Sequence, residues 1–202
     1  MAEALKNLYD KSFLEALAKA LSEEYPQLDT ARFHAKFKPA EWEMLALKQR
    51  VGFLTQVLYE TLPKDYATTL EILKPVSSQF KGFEYMVFPD YVATFGLEEF
   101  DLSMDALAVF TVYSTSEFAV RPFIEKYGNK MLQQMLEWSH SDDLHLLRLA
   151  SEGCRPRLPW ATSLPEFKKY PSAILPILEH LKQDESDFVR RSVAIKLNDI
   201  SK

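Results

Sequence analysis

The sequence contains little cysteine and little glycine. Cys154 is the only cysteine among 202 residues, which excludes an intrachain disulfide and a cysteine-based metal cluster. The 5 glycines form no phosphate-binding loop, and neither an HExxH motif nor a ligand-like spacing of the 4 histidines occurs. We therefore expect no metal and no other cofactor.

Long apolar runs are also missing. No stretch approaches the roughly 20 apolar residues that a membrane-spanning helix needs. The first residues, "MAEALKNLYDKSF", carry charges and lack the apolar segment of a signal peptide. With the single cysteine, these absences favour a cytoplasmic protein. The composition, 47% hydrophobic and 26% charged, is typical of a soluble globular domain.

Charge is unevenly distributed along the chain. The net charge of −5 argues weakly against a nucleic-acid partner. From Arg121 onward, however, 13 basic residues outnumber 11 acidic ones, whereas acidic residues predominate before it. The second half is therefore the better candidate for contact with an anionic partner.

Apolar residues recur every three or four positions, which is the spacing of one face of a helix. Strict alternation with turn pairs such as Asn-Gly, which would indicate strands, does not occur. We therefore expect an all-α fold. Within it, we expect Pro75 to interrupt a helix, a second helix to start near Pro89, and a third to follow Ser116 and contain "EFAVRPFIEKYG".

Two helical segments of the second half resemble each other at an offset of 43 residues. His145–Ser151 aligns with Phe188–Ala194. This offset is typical of HEAT-type helical repeats. We predict a single HEAT-like domain of residues 1–202, a right-handed solenoid of antiparallel helix pairs with a concave face. Residues 1–115 would form N-terminal helices, and residues 116–202 would form the repeats that carry the functional motifs.

Three acidic residues lie near predicted helix ends. Glu152 and Asp199 lie in last turns, where the partial negative charge of a helix C-terminus disfavours a carboxylate. Ordinary partners are available, because Arg148 precedes Glu152 by four residues and Arg121 follows Glu117 by four. The residues alone leave open whether these carboxylates have a chemical role or only form pairs within a helix.

The segment "RPRLPW", Arg155–Trp160, connects two helices and contains two prolines, two arginines and a tryptophan, which is unusual for such a connection. Its prolines restrict the backbone, and Arg155 and Arg157 can donate paired hydrogen bonds to a phosphate. Trp160 offers a flat face for a sugar or a base. Alternatively, Trp160 fills the core beneath a rigid loop. Both interpretations fit the residues.

Four motifs, together with the N-terminal stretch, resemble the AlkC branch of the AlkC/AlkD superfamily of DNA alkylation repair glycosylases. They are "LSMDAL" (102–107), "TSEFAVRPFI" (115–124), "RLASEGCRPRLPWA" (148–161) and "VRRSVAIKLNDISK" (189–202). The resemblance covers essentially the whole chain. It implies a HEAT-like fold whose concave face binds double-stranded alkylated DNA, and a monomeric, monofunctional, metal-independent N-glycosylase that excises cationic N-alkylated purines, chiefly 3-methyladenine.

The resemblance also implies roles for individual residues. Glu117, Glu152 and Asp199 would be the catalytic acids, and Trp160 would lie against the deoxyribose of the lesion. The residues expected to hold DNA phosphates are Arg155, Arg157, Arg190, Arg191 and Lys126.

Two alternatives remain open. Leu147 and Ile195 stand where the family usually has an arginine and an asparagine, which favours a non-catalytic relative that binds damaged or branched DNA. The negative net charge favours a helical-repeat scaffold that binds other proteins.

Overall fold

The structure is a computed structural model that describes residues 5–201. All regular secondary structure in this range is helical, which confirms the all-α prediction. The chain divides into two compact units, an N-terminal unit of residues 1–115 and a C-terminal unit of residues 116–202. Within the described range, no helix is long and apolar enough to span a membrane. The right-handed solenoid and its concave face stay predictions.

The N-terminal unit contains seven α-helices within its described residues. Aspartate caps begin three of them: Asp10, Asp29 and Asp65 accept hydrogen bonds from backbone N–H groups three residues later. The helices are α1 (Lys11–Glu24), α2 (Thr30–Ala35), α3 (Pro39–Met44), α4 (Leu47–Thr61), α5 (Tyr66–Ser78), α6 (Val87–Phe95) and α7 (Phe100–Tyr113).

Prolines test two expectations for the N-terminal unit, of which one is wrong. Helix α5 continues through Pro75 to Ser78, because packing of Leu73 and Val76 in the core stabilises the turns on either side of the proline. The helix expected near Pro89 is confirmed: it begins at Val87, and a short 3₁₀ helix (Phe83–Met86) leads into it. At Pro75, tertiary packing outweighs the local effect of proline.

The C-terminal unit has six α-helices in the part that the structure describes. They are α8 (Val120–Tyr127), α9 (Asn129–Trp138), α10 (Leu144–Glu152), α11 (Glu166–Lys169), α12 (Leu175–Leu181) and α13 (Asp187–Ser201). Asp143 caps α10 by accepting from the backbone N–H of His145 at 2.8 Å. A 3₁₀ turn (Pro171–Ala173) precedes α12.

Helices α10 and α13 pack directly against each other. They are the two segments that align at an offset of 43, and the aligned rings of His145 and Phe188 are in contact, with centroids 6.0 Å apart. The buried face of α13 consists of Val189, Ser192, Val193 and Lys196. Two polar residues on this face make the α10–α13 contact the place to look for chemistry.

Candidate functional site

Glu152 is the last residue of α10 and is buried, with 5% of its surface exposed. Its Oε1 accepts a hydrogen bond from Arg155 Nη1 at 2.6 Å, and its Oε2 accepts one from Ser192 Oγ of α13 at 2.7 Å. These two bonds offset the loss of hydration and the unfavourable end of the helix dipole. The carboxylate is therefore fixed in orientation by groups from both sides.

Arg155 joins Glu152 to Asp199. Its Nε donates to Asp199 Oδ2 at 2.8 Å while its Nη1 donates to Glu152. Burial works to lower the pKa of Arg155, but its hydrogen bonds to these two carboxylates, together with their negative charges, raise it above its ordinary value. One guanidinium thus holds two acids from different helices at a single site.

Glu117 lies in the turn before α8, and the helix begins only at Val120. Its Oε2 is 2.8 Å from Arg148 Nη1, and Arg148 belongs to α10. The expected partners within single helices are therefore wrong: Glu117 is not helical, and Glu152 takes Arg155 rather than Arg148 as its ion-pair partner. Glu117 therefore pairs with a residue distant in the sequence, whereas Glu152 pairs with an arginine three residues further on, just beyond the end of α10.

A cavity of about 320 Å³ opens between α10 and α13. Glu152 and Ser192 line it, together with Arg148, which holds Glu117. The three acids thus belong to one neighbourhood, Glu152 and Asp199 through Arg155, and Glu117 through Arg148. The cavity's remaining lining residues are Asp187, Phe188, Arg191 and Ile195.

The segment Arg155–Trp160 is held from inside by Arg121. This buried arginine donates to the carbonyl oxygens of Thr162 at 2.7 Å, Arg155 at 3.0 Å and Gly153 at 3.3 Å. Trp160 has a φ of 65°, a strained value for a residue with a side chain. It is 41% exposed, so it does not fill the core.

The predicted phosphate contacts differ in their surroundings. Arg157 and Lys126 are exposed, and Arg191 is 80% exposed at 3.5 Å from Asp187. Arg155 bonds internally to two carboxylates, as described above. Arg190 donates to the carbonyl oxygens of Asp184 and Glu185 and to the Asp187 carboxylate, and so closes the turn before α13.

Four residues of this neighbourhood were not predicted from the sequence as site residues: Ser192, Arg148, Arg121 and Lys196. Ser192 and Lys196 lie on the buried face of α13, one turn apart. Their spacing with the apolar Val189 and Val193 was a signal, because polar residues on a core-facing stripe need partners. Arg148 and Arg121 were considered only as partners within a helix.

Comparisons with known proteins place this geometry in context. No protein-family model matches the chain. The chain is 48% identical over 198 residues to the uncharacterized protein YhaZ of Bacillus subtilis (strain 168), covering 98% of this chain and 56% of that protein. The solved structure of the Pseudomonas fluorescens alkylpurine DNA glycosylase AlkC, bound to DNA containing an abasic site analog, matches with a TM-score of 0.93 and 38% identity.

The structural match covers 98% of this chain and 55% of the AlkC chain. The resemblance to the AlkC branch indicated by the sequence motifs is confirmed over nearly the whole chain. The chain spans about half the length of the relatives that it matches.

Proposed function

We propose that this chain excises cationic N-alkylated purines, chiefly 3-methyladenine, from double-stranded alkylated DNA, as a monofunctional glycosylase that needs no metal. The observation that carries the proposal is a pair of carboxylates, the buried Glu152 and the partly buried Asp199, held by one arginine at the α10–α13 contact. Its support from comparison is the 38% identity to an alkylpurine DNA glycosylase that was solved with DNA.

The chemistry requires a negative charge beside the sugar. A 3-methylated adenine already carries a positive charge and leaves as a neutral base, so no general acid is needed. As the glycosidic bond breaks, positive charge develops on the deoxyribose, and a fixed carboxylate stabilises that transition state electrostatically. A second carboxylate can orient or deprotonate the attacking water.

The arginines keep these acids ready for that role. Arg155 contacts Glu152 and Asp199, and Arg148 contacts Glu117, so each acid is held in orientation by a charged partner. In the proposed complex, Glu152, Asp199 and Glu117 supply the negative charge toward the sugar.

The strained segment after α10 supplies the remaining contacts. Trp160 is proposed to pack on the deoxyribose of the lesion. Its side chain is exposed, and its backbone adopts a positive φ. Arg157, Arg191 and Lys126 are exposed and are proposed to hold phosphates. The same role is proposed for Arg155 and Arg190, in addition to their internal bonds.

The decisive experiment measures free bases. Methylated double-stranded DNA is incubated with the protein, and released bases are separated by chromatography. We expect Glu152→Gln to lower the excision rate by about 10²–10³-fold, because an electrostatic contact to the transition state is removed. Glu179→Gln, at a surface carboxylate that pairs with Lys182, is the matched control and should leave the rate unchanged. Release of 3-methyladenine at no more than the Glu152→Gln rate would refute the proposal.

A non-catalytic DNA-binding role is the second candidate. It is favoured by Ile195, which lines the cavity with Glu152 and is 45% exposed, at the position where the family usually has an asparagine. An apolar side chain there offers no hydrogen bond to water or sugar. This candidate predicts salt-dependent binding of damaged or branched DNA without base release. A measurable excision rate would exclude it.

A further inference from the structure

Cys154 and Lys196 form a buried pair that the proposed excision chemistry does not use. Cys154 follows Gly153 at the end of α10, and Lys196 lies on the buried face of α13. Each side chain is 0% exposed, and Lys196 Nζ lies 2.6 Å from Cys154 Sγ. The only cysteine of the chain is thus in direct contact with a primary amine.

The sulfur lies among polar groups of the C-terminal unit. Among the described residues, Cys154 Sγ is the only side-chain hydrogen-bond partner of Lys196 Nζ. Cys154 Sγ itself donates to the carbonyl oxygen of Ala150 at 3.0 Å. Arg121, 1% exposed, donates to the carbonyl oxygens of Gly153 and Arg155 on either side of Cys154. The Lys196 amine is therefore in place to react with the sulfur once the sulfur is oxidised.

The pair needs an explanation because a buried lysine is costly. Desolvation of an amine is only partly offset by one contact to sulfur, and an apolar residue of similar length would fill the same space at a lower cost. Neither the ion pairs of Glu152 and Asp199 nor the hydrogen bonds from Arg121 require Lys196. Lysine side chains are normally exposed, and the burial of Lys196 brings no gain in stability. Such a departure indicates a further role.

We propose that Cys154 and Lys196 are an oxidative modification site at which peroxide links sulfur and nitrogen covalently through one oxygen atom. In the first step the Cys154 thiol takes one oxygen from hydrogen peroxide to give a sulfenic acid and one water. In the second step the sulfenic acid and the Lys196 amine react with another hydrogen peroxide, and the S–O–N bridge and two waters form. Each peroxide accepts two electrons, so sulfur and nitrogen together lose four.

The geometry directs the oxidised sulfur to this product. The chain has a single cysteine, so the sulfenic acid finds no second thiol in the same molecule. The Nζ–Sγ distance of 2.6 Å suits two atoms joined through one bridging oxygen, so no helix has to move. The bridge ties the segment that carries Arg155 to α13. This inference is independent of the proposed excision of bases.

The test uses the full chain and mass spectrometry. The reduced protein is treated with hydrogen peroxide, denatured without reductant and weighed. We expect a monomer that is heavier by one oxygen less two hydrogens, about 14 Da, and that returns to its original mass with dithiothreitol. Peptide mapping should find Cys154 joined to Lys196, with trypsin cleavage after Lys196 blocked.

The competing products are distinguishable. A gain of two oxygens confined to Cys154, a loss of two hydrogens from a direct S–N bond, or an unmodified Cys154 would each overturn the proposal. Cys154→Ser and Lys196→Met should each abolish the bridge, and Lys169→Met, at an exposed lysine, should keep it. If either variant of the pair fails to fold, the peptide map of the wild-type protein decides alone.

Discussion

The two units of the chain have interiors of different chemistry. The core of the N-terminal unit contains a cluster of aromatic rings: Tyr85 stacks on Phe80 and Phe88, with ring centroids 4.4 Å and 6.2 Å apart, and Phe88 packs on Phe110 at 5.7 Å. The C-terminal unit buries several charged side chains alongside its apolar residues. Its buried charged residues in the described range are Glu117, Arg121, Glu152 and Lys196.

The one buried charge that the structure describes in the N-terminal unit serves a structural purpose. Arg50 donates to the carbonyl oxygens of Lys6 and Tyr9, and to the exposed carboxylate of Glu43. Buried carboxylates in the C-terminal unit contribute little net stability, because desolvation cancels most of the attraction to their partners. The buried charge of the N-terminal unit thus supports the backbone, whereas the buried carboxylates of the C-terminal unit pair with arginine side chains.

The largest effect is expected in the aromatic core. Phe88→Ala removes a ring that is 1% exposed and should lower the free energy of unfolding by about 4 kcal/mol. Urea unfolding followed by circular dichroism measures this loss. Met44→Ala, at a side chain that is 84% exposed, is the control and should change little. The excision rate per folded molecule should stay at the wild-type value; a fall would show that the aromatic core also shapes the site.

Arg155→Met tests the charged interior. The change leaves the buried Glu152 and the partly buried Asp199 without their shared cation, so the free energy of unfolding should fall by about 3 kcal/mol near neutral pH. The excision rate should fall as well, since the acids lose their orientation. Both losses are measured on the same preparation, by urea unfolding and base release.

Arg157→Met is the matched control for Arg155→Met, because Arg157 is exposed in the same segment. It should keep the wild-type stability and weaken DNA binding in a salt-dependent manner. A stability of Arg155→Met equal to that of the wild type would mean that the guanidinium does not hold the two acids.

Much of the fold was predictable because amphipathic helices show a regular spacing of apolar residues within a single segment of the sequence. The helix pattern and the α10–α13 repeat follow from spacing along one segment. The prediction at Pro75 is wrong because a proline shows its local cost in the sequence, while the packing of Leu73 and Val76 that overcomes it comes from distant residues.

The site could also be predicted only in part, because local spacing does not reveal contacts between residues that are distant in the sequence. The motifs indicate Glu117, Glu152 and Asp199; the structure joins Glu152 to Asp199 through Arg155, while Glu117 pairs with Arg148. Which arginine takes which acid depends on contacts such as Glu117 with Arg148, between residues 31 positions apart in the sequence. No spacing rule within a helix could have given that pairing. The contact of Cys154 with Lys196, 42 residues apart, was out of reach in the same way.

Gly153→Ala should disturb the end of α10 to an intermediate extent. An added Cβ would lie 2.7 Å from Val120 Cγ2 and 2.8 Å from Met135 Cε, so the neighbours must move, at a cost of about 2 kcal/mol. Gly52→Ala is the control, because nothing lies within 4 Å of its Cβ and alanine favours a helix interior; it should stabilise the protein by about 0.5 kcal/mol. Equal effects in the two variants would refute the close packing at Gly153.

The last prediction concerns the pH dependence of the free energy of unfolding that the buried amine of Lys196 causes. Burial lowers the pKa of Lys196 from its ordinary value of 10.5, and Arg121 lowers it further, outweighing Cys154 and Glu152, which raise it. Between the lowered pKa and 10.5 the unfolded chain binds more protons than the folded chain, so stability contributed by this group rises with pH, by at most about 1.4 kcal/mol per pH unit. Lys196→Met removes this dependence.

Urea unfolding from about pH 7 to pH 10, with reductant present, measures the effect. The free energy of unfolding of the wild type should rise relative to that of Lys196→Met as the pH rises. Lys182→Met, at a surface lysine paired with Glu179, should run parallel to the wild type. Parallel curves for Lys196→Met as well would mean that the Lys196 amine is not desolvated in the folded protein.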